Sequence, residues 1–195
     1  MLASIASVNV GAPAPNPHKS VGTTGIDKRP AAGPVEVRPP GPREGGFGSG
    51  VVGDFIGDSV HHGGDDQALY AFQREDLDRW QERLAHDIPN GFFGENLTTL
   101  GFDVNAAVIG EVWRIGETVV VQVASPRIPC STFRGWVGEK GWLKTFTQDA
   151  RPGAYLRILT PGLVAAGDEL TVLERPEHGV TISAAYLQTM GLQGS

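Results

Sequence analysis

The fold is decided by "VIGEVWRIGETVVVQVASPRIPC", Val108 to Cys130. Two runs rich in aliphatic and β-branched residues flank Gly116-Glu117, so "RIGETVVV" reads as a hairpin. The second run leads directly into a loop stiffened by Pro126 and Pro129, which ends on the single cysteine of the chain. Further strands are expected at Leu2–Val10, Val35–Val37, Val51–Ile56, Ala154–Thr160 and Glu169–Leu173, separated by Gly- and Pro-rich turns. "VIGEVWRI" and "AAGDELTVL" share a glycine, an acid and then a strand, the chemistry of a recurrent turn.

Against this β background, "DDQALYAFQREDLDRWQERLA" (residues 65–85) reads as one long helix. Asp65 and Asp66 are its N-cap candidates, Leu69, Phe72, Leu77, Trp80 and Leu84 its core face, and Glu75–Arg79 an i,i+4 pair on the outside. Pro89-Asn90-Gly91 prevents its extension. "WVGEKGWLKTF" reads as a short helix or an irregular lid. Arg38–Gly50, "RPPGPREGGFGSG", is too rich in Gly and Pro to pack a core and reads as a mobile surface loop. The pattern as a whole predicts a mainly β protein with minor α (α+β): a closed β-barrel with one long helix and short peripheral helices, since closure removes exposed strand edges.

A chain of 195 residues suits one domain. One cysteine rules out an internal disulfide, a CxxC…CxxC zinc site and a self-contained iron–sulfur cluster. If electrons are needed, an external donor must supply them. A net charge of −6 with no long basic tract argues against nucleic-acid binding. The N-terminus lacks a signal peptide's basic region, and no apolar run approaches a membrane span, so a cytoplasmic location without a membrane partner is expected. There is no GxSxG elbow and no HExxH.

Four segments could carry chemistry. Cys130 lies between Arg127 and Arg134, whose charge favours the thiolate that metals and electrophiles require; the alternative is a packed, inert thiol. His61 and His62 precede Gly63-Gly64. Adjacent histidines point to opposite faces and rarely share a metal, so hydrogen bonding or packing is the plainer reading. The helix start expected after them would offer N–H groups to an anion. In "GFFGENLTTLG", Asn96 has the donor and acceptor a pterin or base edge needs, and a turn is the other reading. "GTTGIDKRP" offers Thr23, Thr24, Lys28 and Arg29 as a phosphate cradle, though exposed Lys-Arg pairs are often only solvated.

In this order, "GTTGIDKRP", "GDFIGDSVHHGGDDQALYAF", "GFFGENLTTLG" and "VASPRIPCSTF" resemble the MOSC domain family, and within it the bacterial branch linked to hydroxylaminopurine resistance. The resemblance runs from about Leu2 to Pro176. It implies a β-barrel domain over residues 1–176 and a tail, 177–195, as the remnant of a helical appendage. It also implies the molybdenum cofactor in its molybdopterin form, with Cys130 as catalytic residue and metal ligand. Thr24, Lys28, Arg29, His62, Gly63, Asn96 and Arg127 fall within the family-like blocks and are assigned to cofactor binding. Lys28 or Arg29 would neutralise the terminal phosphate.

The implied activity is reduction of small N-hydroxylated substrates with an external electron-donor protein. A sulfur carrier, with a Cys130 persulfide supplied by a pyridoxal-phosphate-dependent desulfurase, is the second reading. A non-catalytic barrel binding module is the third. The short tail leaves partner docking and homodimer formation open.

Overall fold

The computed structural model describes residues 2–192. In chain order it contains β1 (Ser4–Gly11), β2 (Ala14–Pro15), β3 (Thr23–Thr24), β4 (Lys28–Pro30), β5 (Val35–Val37), β6 (Leu69–Gln73), α1 (Arg74–Leu84), β7 (Leu97–Leu100), β8 (Val112–Ile115), β9 (Val119–Pro126), α2 (Ser131–Val137), α3 (Trp142–Asp149), β10 (Ala154–Thr160), β11 (Gly162–Val164), β12 (Leu170–Glu174) and α4 (Ile182–Thr189). The hairpin around Gly116 joins β8 to β9, with Val112 opposite Gln122 and Ile115 opposite Val119. Gly116 takes φ +59°, the left-handed turn conformation that favours glycine.

Among the described residues, eight strands form one sheet in the order β12-β8-β9-β10-β6-β7-β1-β4. The ladder is open and no closed barrel forms, which corrects the sequence expectation. β1 explains why. Its C-terminal half pairs with the short β4, Asn9 opposite Pro30 and Gly11 opposite Lys28. Its N-terminal end meets the segment before β12 through a single bridge, Ser4 to Glu169. Ile5 N donates to Asp168 O at 2.9 Å and Leu170 N to Ala3 O at 2.9 Å. The sheet therefore curls until the start of β12 meets β1, but the contact is confined to residues 167–170 and no ladder between the two strands forms.

The long helix expected over 65–85 is another correction. Residues 65–67 make one 3₁₀ turn, Leu69–Gln73 is strand β6, and the helix is confined to Arg74–Leu84. β6 lies inside the sheet, parallel to β7 and antiparallel to β10, and all five of its residues are buried. Leu69 and Ala71 enter the core within the curled sheet, beside Trp113, Val121 and Leu156. Tyr70 and Phe72 enter a second core under α1, α2 and α3, with Trp80, Phe93, Phe133 and Trp142. Period-two burial on two apolar faces mimics a helical stripe in a short window. The anion-binding helix start expected after His62 is accordingly absent.

The Glu75–Arg79 pair does not form. Arg79 instead bonds Asp149 at 2.5 and 2.7 Å and Asp76 at 3.0 Å, which ties α1 to α3. Val51–Ile56 contributes only a bridge, Val51 to Val37, and no strand. Arg38–Gly50 is a surface loop, exposed from Pro42 to Phe47. "WVGEKGWLKTF" becomes the end of α2 and the start of α3. In the tail, α4 buries Ile182 in the sheet core, and Tyr186 Oη donates to Thr147 Oγ1 at 3.2 Å. No described helix is long and apolar enough to cross a membrane.

Candidate functional site

Between the open end of the sheet and α2 lies a solvent-open cavity, about 720 Å³ when the open space at its mouth is counted. β9 ends at Pro126, and the stiff Arg127–Pro129 loop delivers Cys130 to the N-cap of α2, with φ −119° and ψ 174°. The sulfur faces the cavity and is partly exposed. Burial disfavours its charge, but the His62 imidazole, the Arg127 guanidinium and the Phe133 backbone N–H outweigh it and hold the thiol at about 6.

Arg127 is buried, at 5% relative exposure. Its guanidinium lies 3.7 Å from the centre of the Phe133 ring and 5.5 Å from that of Tyr70. Its Nη1 is buried without a hydrogen-bond partner. An unsatisfied buried donor on a cation costs free energy unless a ligand completes it.

The cavity gathers Thr24, Lys28, His62, Gly63, Asn96, Arg127 and Cys130 from separate segments of the chain. Arg29 is not among them. It is exposed on β4 and pairs with Asp27 at 2.8 Å. Alternation along a strand puts Lys28 inward and Arg29 outward. The two histidines also divide. His61 is exposed and bonds Asp58 at 3.0 Å, while His62 turns to the cavity.

Gly63 takes φ +86°, and a Cβ there would lie 2.6 Å from Gly48 O, so the chain approaches too closely for any side chain. Asn96 is occupied within the protein: its Oδ1 accepts from Tyr70 N at 3.2 Å and its Nδ2 donates to Asp54 at 3.0 Å.

Sequence reasoning missed Asn16, Asp54 and Tyr155. Asn16 lies in the β2–β3 hairpin, and its Nδ2 donates to Thr132 Oγ1 on α2 at 3.0 Å. Asp54 sits inside the quoted "GDFIGD" block, the one available signal. Tyr155 lines the cavity from β10 with no motif to mark it.

Among the described residues no group of three or more His, Cys, Asp or Glu side chains is placed to hold a metal ion. A metal at Cys130 would have to bring other ligands with it.

The MOSC domain matches residues 58–171, and the chain belongs to that family. Among its relatives is the uncharacterized protein YflK of Bacillus subtilis, 35% identical over 184 residues, covering 93% of this chain and 78% of that protein. A protein named reductase from Gibberella moniliformis is 30% identical over 133 residues, which is 66% of this chain and 23% of the fungal protein. The crystal structure of YiiM from Geobacillus stearothermophilus superposes with a TM-score of 0.75 at 29% identity, covering 96% of this chain and 83% of that one.

Proposed function

We propose that the cavity binds a molybdenum cofactor of the molybdopterin type and that the protein reduces small N-hydroxylated compounds. The observation that carries this reading is one cavity holding both a thiolate-prone Cys130 and the unpartnered Nη1 of buried Arg127. The donor set fits such a group. A thiolate is a soft ligand suited to molybdenum, and Arg127 would complete its hydrogen bonding on an anionic or carbonyl-bearing partner. Thr24 and Lys28 would border the same ligand.

When bound, the cofactor supplies the two-electron chemistry of N–O cleavage, with electrons drawn from an external donor protein. The chain's own residues bind and orient. Cys130 offers the ligand sulfur. Arg127 keeps that sulfur charged. His62 can hold a proton beside it. Asn16, through Thr132, ties α2 to the β2–β3 hairpin and so steadies the loop that delivers Cys130.

The test is molybdenum content and hydroxylaminopurine reduction by protein produced in a cofactor-competent host. Cys130→Ala is expected to stay folded and to abolish turnover. Undiminished turnover by fully loaded Cys130→Ala would end the ligand assignment. A labile sulfane sulfur on Cys130 without molybdenum would favour the sulfur-carrier reading, which the same reactive thiolate supports.

A further inference from the structure

Asp54 is the most heavily bonded carboxylate in the cavity wall. Its side chain is 1% exposed. Oδ1 accepts from Gly11 N at 2.8 Å and from Lys28 Nζ. Oδ2 accepts from Ser49 Oγ at 2.7 Å and from Asn96 Nδ2 at 3.0 Å. These donors come from β1, β4, the loop before Val51 and the residue preceding β7, so one carboxylate joins four segments of the cavity wall. Lys28, with a side chain 7% exposed, is therefore compensated by a carboxylate inside the protein, whereas Arg127 keeps one buried N–H without a hydrogen-bond partner. The two cations facing the cavity are unequal. Lys28 is ion-paired with a carboxylate, and Arg127 keeps an Nη1 free for a hydrogen bond.

We infer that Asp54 is a positioning residue that competes with a ligand's anionic group for Lys28 and thereby sets how tightly the cavity holds a phosphate monoester. The inference deepens the cofactor reading and rests on it for the identity of the ligand. Asp54 holds the ammonium at the wall and cancels its charge. An incoming dianion gains from Lys28 only what remains after the carboxylate's share, and it also meets the carboxylate's repulsion in a poorly solvated site. Replacing Asp54 by a neutral side chain of the same shape frees Lys28 for the ligand. A side chain that only braced the wall would have the opposite effect, because its loss would loosen the site and weaken binding.

The probe is inorganic phosphate, titrated calorimetrically into protein produced in a host unable to make the molybdenum cofactor. Asp54→Asn is expected to bind it about tenfold tighter or more, the worth of a charge-assisted hydrogen bond. Lys28→Met, which leaves the Asp54 charge uncompensated, is expected to bind about tenfold weaker. The double variant is expected to fall within about threefold of wild type, since both charges have gone.

Phosphate affinity unchanged or weakened in folded Asp54→Asn overturns the inference. Should Asp54→Asn fail to fold, Lys28→Met decides alone, and unaltered affinity there overturns the inference as well. Molybdenum content of the same proteins produced in a cofactor-competent host reports separately on the cofactor reading. Affinities in the expected order without molybdenum uphold the Asp54 assignment and sink that reading.

Discussion

Cys130 occupies the N-cap of a seven-residue helix, where the Phe133 N–H favours a negative sulfur. Burial opposes that charge, and Arg127 and His62 tip the balance. The alkylation rate of cofactor-free protein by iodoacetamide is expected to rise with pH through a midpoint of about 6. In Arg127→Met the profile moves to higher pH, and the rate at neutral pH falls about threefold or more. An unshifted profile would show that the guanidinium does not act on the sulfur.

At this scale the sequence was legible where chemistry follows from neighbours in the chain. Arg127 and Cys130 are three residues apart on a loop stiffened by proline. It marked Asp54 only by its place in the "GDFIGD" block and not by its role, because its four bonds reach residues 5 to 43 positions away. It also could not tell Lys28 from Arg29, because the pairing partner of β4 decides which of two adjacent side chains faces inward.

At the scale of elements, the turn before β6 carries His62 into the cavity and is packed against the Arg38–Gly50 loop. Gly64 N donates to Gly48 O at 3.0 Å, and Gly63 lies against the same carbonyl. Gly63→Ala adds a methyl 2.6 Å from that oxygen at a φ of +86°. The cost is about 1–3 kcal/mol of backbone strain, to which the displacement of Gly48 adds. Thermal unfolding should show the loss. A variant as stable as wild type would mean that the loop yields freely.

The hairpin around Gly116 was readable because its turn chemistry and strand periods agree. The stretch Leu69–Gln73 was misread because it is apolar on both faces. Only the presence of two cores, one on each side of the sheet, separates a doubly buried strand from the first turns of the helix that follows it. The open ladder has a comparable cause. Closure depends on the length over which β1 and β12 overlap, a quantity with no local signature.

At the scale of the whole molecule, one buried acid couples stability to pH. Glu95 is fully buried, and its carboxylate accepts from Gly91 N at 2.6 Å, Phe93 N at 3.0 Å and Thr98 Oγ1 at 2.9 Å. It thus fixes the turn that carries Phe93 into the aromatic core, where that ring meets Phe72, Phe133, Trp142 and Phe146 at centroid distances of 5.1 to 6.0 Å. Burial outweighs the three donors and raises the acid from 4.5 to about 7. The folded state therefore binds a proton that the unfolded state has released between those two values. Stability from this group is complete below about pH 4.5, falls as the pH rises towards 7, and is level above. The span corresponds to about 3 kcal/mol. Glu95→Gln keeps the shape and removes the titration. Its cost in urea-unfolding free energy should be largest near about pH 4 and shrink by about 3 kcal/mol towards about pH 8. A cost that stays constant across that range would show that the carboxyl is charged throughout, with its three donors prevailing over burial.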